Sequence, residues 1–163
     1  MCSINPVTNR REFHPLPRCI EEGIGGYCYR RILKNETPIS ASDPVYGKLL
    51  PVIQRVGERL KRHCGAPHLP FEFTLLRRER ANASCLPGGK IVIHTGLILG
   101  MCQSERFGTM DLETGIAAVF AHEMGHAVGR HYNRSIGYFL LLSVLCWLTL
   151  SVVYSCSKVF FWI

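Results

Sequence analysis

The feature that most constrains this chain is the pentapeptide HEMGH at residues 122–126. Two residues four positions apart on an α-helix lie about 40° apart around its axis, one turn above the other, so His122 and His126 can bind one metal ion from a single face. Glu123 projects about 100° from His122, beside the metal rather than onto it. There it can act as the general base that takes a proton from the attacking water. The spacing therefore predicts an amide-hydrolysing site with one Zn²⁺ per chain.

The sequence around the pentapeptide bears on whether the match is accidental. An accidental match would be a surface helix that carries two solvated histidines. Residues 116–120 and 127–128 on either side are apolar, and this is expected to bury the histidine pair. Buried imidazoles without a ligand would be energetically costly, so the flanking sequence favours the metal site.

A third zinc ligand is not evident in the sequence, although catalytic zinc usually has three protein ligands and one open position. In the pattern HExxHxxGxxH the last histidine would fall at Tyr132. His131 comes one residue early, and on an uninterrupted helix it would lie about 140° around the axis from His126 and face away. A helix break at Gly129 would change that.

No Asp or Glu follows Glu123. Glu79 and Glu105 could reach the site only through unforeseen geometry, and Glu113 lies about 180° around the same helix from His122. His94 ends a predicted strand and could approach the site, although a histidine there is more often structural.

Hydrophobic patterning predicts both strands and helices. Alternating residues over 71–75 indicate a half-buried strand, and two further strands over 81–86 and 90–94 are joined by a Pro-Gly-Gly turn typical of a hairpin. Asp43 is expected to cap the second of four helices, and Pro51 is expected to kink or restart that helix. The four helices are predicted over 21–33, 45–63, 95–102 and 111–131.

The segment 135–157 contains 23 residues without a charge. At about 1.5 Å per residue, this is long enough to cross roughly 30 Å of hydrocarbon. Arg134 and Lys158 flank the segment almost symmetrically, so they do not predict an orientation. We therefore expect a metallopeptidase domain over 1–134 and a transmembrane or membrane-inserted segment over 135–157. The alternative is a core helix that packs against a missing half of the domain.

Charge and cysteine content exclude some classes of protein. The net charge of +7 is compatible with an anionic membrane surface, but the basic residues are scattered in pairs, which argues against nucleic acid as a partner. The eight cysteines show no C-x-x-C spacing and are expected to be reduced thiols. Residues 1–18 contain three prolines and no apolar stretch, so neither a secretory signal nor a presequence is expected.

Several motifs together resemble the membrane-associated gluzincin family that includes the CAAX prenyl protease and the bacterial heat-shock protease HtpX. Within this family the chain is most similar to the mitochondrial inner-membrane metalloendopeptidases whose activity overlaps that of the m-AAA protease. The motifs extend over nearly the whole chain. They are NPVTNRR at 5–11, Asn82-Ala83 followed by LPGGK at 86–90, TGL at 95–97 and HEMGHAV at 122–128.

The resemblance implies an α+β fold of zincin (gluzincin) type, with a small β-sheet, an HExxH active-site helix and a C-terminal hydrophobic, membrane-embedded helix. It also implies that the strand with Asn82 and Ala83 edges the cleft and pairs with the substrate as an added strand. On sequence alone, Asn82 could equally be a turn residue. In the family the third ligand is a glutamate on a helix beyond the apolar segment. The 163 residues do not include that helix, so a C-terminally truncated peptidase domain is expected.

Two functions follow as hypotheses. The first is a zinc metalloendopeptidase that hydrolyses peptide bonds of membrane or misfolded proteins in protein quality control. Its partners would be polypeptide substrates and a lipid bilayer, and homo-oligomerisation is left open. The resemblance places such an enzyme in a membrane, and specifically in the mitochondrial inner membrane. The second is a catalytically inactive, truncated relative that acts as a peptide-binding or membrane-tethered adaptor.

Overall fold

The computed structural model of the chain describes residues 2–5, 9–103 and 111–160. Within these residues it is a mixed α+β structure. Pro6, Val7 and Thr8 of the N-terminal motif, and Glu105, lie outside the described part. The elements in chain order are β1 (Cys2–Ile4), β2 (Arg11–Phe13), α1 (Arg18–Asn35), a 3-10 turn (Gly47–Leu49), α2 (Leu50–Lys61), β3 (Glu72–Leu76), β4 (Ala83–Leu86), β5 (Lys90–His94), α3 (Thr95–Gln103), α4 (Leu112–Val128) and α5 (His131–Phe160).

The main sheet has three strands in the order β3-β5-β4. The central strand β5 runs parallel to β3 and antiparallel to β4. The predicted hairpin between β4 and β5 is confirmed, and its turn places Gly88 and Gly89 at φ values of 78° and 92°, which glycine adopts without steric cost. Among the described residues, the outer edge of β4 has no strand partner. β1 and β2 form a separate antiparallel pair.

The core lies between one face of this sheet and helices α2 and α4. Phe73 of β3 stacks on Phe120 of α4, with ring centroids 4.8 Å apart. Gly57 of α2 allows this arrangement, because a Cβ at that position would lie 2.4 Å from the Phe73 ring. The packing holds α4 across the sheet and against β4. Further core residues are Ile53, Val56, Leu75, Ile91, Ile93, Ile98, Ile116 and Met124.

The second helix begins later than the sequence pattern predicts. The Asp43 Oδ1 atom accepts hydrogen bonds from the backbone N–H groups of Val45 (3.0 Å) and Tyr46 (2.9 Å), but it caps a turn rather than the α-helix itself. The regular helix starts only at Leu50. Pro51 therefore restarts the helix and does not kink it, because proline's missing N–H costs nothing in a first turn.

The helix with the HEMGH pentapeptide begins as predicted and ends three residues early. Asp111 is its N-cap and accepts a hydrogen bond of 2.8 Å from the backbone N–H of Thr114. The helix ends at Val128, Gly129 is the C-cap, and Arg130 adopts a φ of 50° before α5 begins. The chain therefore turns a corner at residues 129–130.

Helix α5 is longer than the predicted apolar segment 135–157 and extends beyond it at both ends. Residues 131–152 of this helix are long and apolar enough to span a membrane. No residue in the most apolar 18 of them is buried in the protein. Both the membrane segment and a core helix packed against polypeptide outside the described residues therefore stay predictions. Apolar side chains that project from this helix into the surroundings include Phe139, Leu142, Trp147, Leu150 and Val152.

Candidate metal centre

The two histidines of the pentapeptide converge as their spacing predicts. The Nε2 atoms of His122 and His126 lie 3.2 Å apart, and the two rings are perpendicular with centroids 4.8 Å apart. A tetrahedral zinc ion with bonds of about 2.0–2.1 Å to nitrogen holds two such atoms about 3.3 Å apart. The pair therefore fits two ligand positions of one zinc ion.

The expectation that apolar neighbours bury this pair is wrong. His122 is exposed, and His126 and Glu123 are half-buried. The apolar residues of α4 occupy its opposite face, because Ile116 and Phe120 follow helical spacing into the core. The histidines and Glu123 therefore face away from the core, on the accessible side of α4.

His131 does not face away from His126, contrary to the expectation for an uninterrupted helix. Its Nδ1 atom lies 2.7 Å from the Nδ1 atom of His126, because α4 ends at Val128 and the corner turns the next residues back. The contact is to the ring nitrogen of His126 that points away from His122. His131 therefore lies beside a candidate ligand and not in a third ligand position.

Two of the other candidate ligands, His94 and Glu113, are engaged elsewhere. The Nε2 atom of His94 lies 3.7 Å from a carboxylate oxygen of Glu36. Glu113 pairs with Arg55 of α2 at 2.7 Å. Among residues 2–5, 9–103 and 111–160, no group of three or more His, Cys, Asp or Glu side chains is arranged to hold a metal ion. The third ligand therefore stays unassigned within this part of the chain.

An open cavity of about 340 Å³ lies between the edge strand β4 and the start of α5. Ala83 lines this cavity, whereas Asn82 precedes β4 and is not among the lining residues. The cavity brings the predicted general base close to an exposed strand edge. The complete lining is Ala83, Ser84, Cys85, Glu123, His126, His131, Tyr132 and Ser135.

Cys85 is the buried thiol of this cavity, and only 2% of its surface is exposed. Burial raises the pKa of the thiol to about 12, and the negative charge of Glu123 adds to this effect. The Sγ atom donates a weak hydrogen bond of 3.4 Å to the backbone oxygen of Leu86. Cys85 belongs to the hydrophobic core cluster and packs there.

Sequence reasoning missed most of the cavity lining. Ser84, Cys85 and Tyr132 have no motif or spacing that distinguishes them, since a strand and a helix bring them together only in the folded chain. The one available signal was Gly129, because a glycine near the end of an apolar helix is typical of a C-terminal boundary.

Comparisons with known proteins show which family this chain belongs to. The chain matches the family model for peptidase family M48 over residues 50–160. It is 30% identical over 143 residues to the mitochondrial metalloendopeptidase OMA1 of Schizosaccharomyces pombe, an alignment that covers 88% of this chain and 39% of the relative. It is 34% identical over 116 residues to a putative beta-barrel assembly-enhancing protease of Vibrio cholerae, covering 71% of this chain and 21% of the relative.

A plant relative gives a shorter match of the same kind. The mitochondrial metalloendopeptidase OMA1 of Arabidopsis thaliana is 35% identical over 88 residues, which is 52% of this chain and 16% of the relative. The chain thus spans less than half the length of each of these relatives. The family match covers most of the chain and includes the HEMGH helix, in agreement with the resemblance that the motifs indicate. The chain belongs to peptidase family M48.

Proposed function

We propose that this chain carries the zinc-binding helix and the general base of a metalloendopeptidase. His122 and His126 are the ligands, and Glu123 is the base. The observation that carries the proposal is the 3.2 Å approach of the two Nε2 atoms on the accessible face of α4, next to Glu123, in a chain of family M48. The α+β arrangement of a small sheet and an HExxH helix supports a zincin-type domain.

The chemistry assigned to the site follows from its donor set. When bound, zinc would act as a Lewis acid and would lower the pKa of the attacking water toward 7. His122 and His126 would hold the ion through their Nε2 atoms. Glu123 takes a proton from the attacking water and passes it to the leaving amine, so that one peptide bond is broken and a carboxylate and an amine are released.

The edge of β4 is the proposed binding site for the substrate backbone. The backbone N–H of His94 donates to the carbonyl oxygen of Asn82 at 3.0 Å, so this pair is hydrogen-bonded between β4 and β5. Hydrogen-bonded and non-bonded pairs alternate in an antiparallel ladder, which directs the N–H and C=O groups of Ala83 and Cys85 to the open edge. An extended peptide added at Ala83 passes Glu123. Asn82 then contributes through its side chain alone.

A membrane location is proposed from the surface of α5 and its surroundings. Exposed aromatic side chains, Phe13 and Tyr138, line a cavity of about 380 Å³ at the start of the helix together with Arg11 and Arg134. Aromatic and basic side chains at the end of an apolar helix are typical of a membrane interface. A mitochondrial location is proposed from the relatives named mitochondrial metalloendopeptidase, and the inner membrane from the motif resemblance. Membrane or misfolded proteins are the proposed substrates.

Zinc content and cleavage test the proposed enzyme. We expect detergent-purified wild type and Glu123→Gln to hold about one zinc per chain by atomic emission, and His126→Ala to hold none. Cleavage of an unfolded test protein should require both Glu123 and zinc. His68→Ala and Glu58→Gln change exposed residues outside the site and serve as controls. A wild-type chain that binds no zinc would sink the proposal for this polypeptide.

The peptide-binding adaptor is the second candidate, and one observation favours it. Among the described residues, only two histidines converge as ligands, with no third group beside them. An adaptor needs the open edge of β4 but no metal. Retained peptide binding in zinc-free wild type, unaffected by Glu123→Gln, would support this function over the enzyme.

A further inference from the structure

His126 has both of its ring nitrogens engaged. Its Nε2 atom faces the Nε2 atom of His122 at 3.2 Å, and its Nδ1 atom faces the Nδ1 atom of His131 at 2.7 Å. The rings of His126 and His131 are inclined at 70°, with centroids 4.9 Å apart. The ring of His126 is therefore held between a histidine on its own helix and one from beyond the corner.

These two contacts require a particular tautomer of His126 when a metal is bound. A neutral imidazole carries one proton, on one of its two nitrogens. If the lone pair of Nε2 goes to a metal, the proton must be on Nδ1. That N–H group can then donate to the lone pair of the His131 Nδ1 atom, whose own proton must be on Nε2. Ligand histidines usually donate their other N–H to such a partner, which fixes both tautomer and ring orientation.

The fold positions His131 for this contact through two residues of the corner. Arg130, at a φ of 50°, turns the chain so that His131 returns toward α4. Gly129 leaves space for the ring, because a Cβ at that position would lie 2.8 Å from the His131 Nε2 atom and 3.0 Å from Cδ2. The backbone turn at Arg130 and the missing Cβ at Gly129 both act on the ring of His131. Neither contacts the side of the His126 ring that carries Nε2.

We propose that His131 is a positioning residue that holds His126 in the tautomer and orientation that present Nε2 to the metal. It accepts the Nδ1 proton of His126 and does not bind the metal itself. This inference rests on the proposed zinc site, so its test needs one measurement that does not depend on zinc.

The first measurement is the tautomer of His126 in the metal-free protein. Nitrogen-15 NMR of the full chain in detergent, with labelled histidine, distinguishes a proton on Nδ1 from one on Nε2. We expect wild-type His126 to carry its proton on Nδ1, and His131→Leu to shift the population toward Nε2. In His131→Asn, the side-chain oxygen occupies the place of the His131 Nδ1 atom and should restore the wild-type tautomer. An unchanged tautomer in His131→Leu would overturn the inference.

The second measurement is zinc affinity by competition with a chelator. Loss of a partner of this kind lowers metal affinity about 10–100-fold, which is the effect we expect for His131→Leu, with most of it recovered in His131→Asn. His68→Ala controls for the loss of an exposed imidazole. Equal affinity in wild type and His131→Leu would overturn the inference, whereas the absence of zinc from wild type, with the tautomer shift intact, would overturn only the proposed function.

Gly129→Ala tests the positioning without removing an imidazole. The φ of −74° at Gly129 is open to alanine, but the new Cβ would lie 2.8 Å from the Nε2 atom of His131 and 3.0 Å from the backbone oxygen of Gly125. We expect the His131 ring to be displaced, the tautomer of His126 to shift and zinc affinity to fall toward that of His131→Leu. A purely structural role of His131 predicts a lower melting temperature of the metal-free protein with the tautomer and zinc affinity unchanged.

Discussion

Arg130 and Glu21 form a buried ion pair that joins α1 to the corner between α4 and α5. The Nη2 atom of Arg130 lies 2.9 Å from Oε1 of Glu21, and its Nε atom contacts both carboxylate oxygens at 3.1 and 3.2 Å. Nη2 also donates to the backbone oxygen of Leu16 at 2.7 Å. Because Arg130 directly precedes His131, this ion pair fixes the backbone that carries His131 to His126.

Removing one member of the pair should be strongly destabilising. Arg130→Met leaves the Glu21 carboxylate buried without its partner, which costs about 3–5 kcal/mol of unfolding free energy. In a chain of this length that lowers the melting temperature by roughly 6–20 °C. The measurement is thermal unfolding of the metal-free protein in detergent.

A surface ion pair provides the matched control. Arg55, with a side chain that is 60% exposed, pairs with Glu113, and Arg55→Met should cost less than about 1 kcal/mol. The double variant Glu21→Leu with Arg130→Met should recover much of the loss, since no unpaired charge remains. Similar melting temperatures for Arg130→Met and Arg55→Met would contradict the assignment of Arg130 to a buried pair.

Two glycines of α1 should respond to alanine in opposite directions. A Cβ on Gly25 would lie 1.6 Å from the backbone oxygen of Pro87, so Gly25→Ala forces α1 away from the β4–β5 turn. We expect a loss of about 1–3 kcal/mol, as for other overpacked sites. Gly23 has no atom within 4 Å of such a Cβ, and Gly23→Ala should gain up to about 1 kcal/mol from helix propensity. Urea unfolding of both variants checks the difference in sign.

Local patterns account for the parts of the fold that were predicted correctly. Strands β3 and β5, the β4–β5 hairpin and the start of α4 at Asp111 each follow from side-chain alternation, a Gly-Gly turn or an N-cap within a few residues. The parallel pairing of β3 with β5 has no such local signal, because it joins segments separated by β4. Sequence reasoning placed the three strands of the main sheet but not their order, and it missed β1 and β2.

The same distinction applies to the candidate site. Helical spacing alone predicts the approach of His122 and His126. The position of His131 depends on the contact between Arg130 and Glu21, which are 109 residues apart, and no periodicity within α4 carries that information. The apolar residues of α4 misled the burial prediction, since they lie on the face opposite the histidines.

Acid should destabilise the protein partly through His94. Burial of this histidine lowers its pKa and outweighs the carboxylate of Glu36, which raises it. The charge of Arg78 lowers the pKa further, while a backbone hydrogen bond with Arg80 raises it. The unfolded chain, with a histidine pKa of about 6.5, then binds the proton more readily than the folded one. The contribution of His94 is therefore present above about pH 6.5 and lost as pH falls through the lower folded pKa.

Melting temperatures between pH 7.5 and 5 check this prediction. Chelator-treated protein is used so that metal loss does not contribute. His94→Gln should show a shallower fall than wild type, though not a flat profile, because burial also lowers the pKa of His14. His68→Gln alters an exposed histidine and should keep the wild-type slope. Parallel curves for wild type and His94→Gln would show that His94 does not contribute.

Charges in the middle of α5 should prevent its insertion into a bilayer. Leu145 and Leu148 lie near the centre of 135–157 and are exposed to the surroundings of the protein. Each arginine at such a position costs about 2.5–3.5 kcal/mol of insertion free energy, so Leu145→Arg with Leu148→Arg should move the chain from the carbonate-resistant membrane fraction to the soluble or aggregated fraction.

Tyr27→Arg, on the exposed surface of α1, adds a charge outside the helix and should leave the distribution unchanged. If wild type itself is released by carbonate, α5 is covered by protein rather than lipid. Its exposed apolar side chains would then be an interface with another polypeptide.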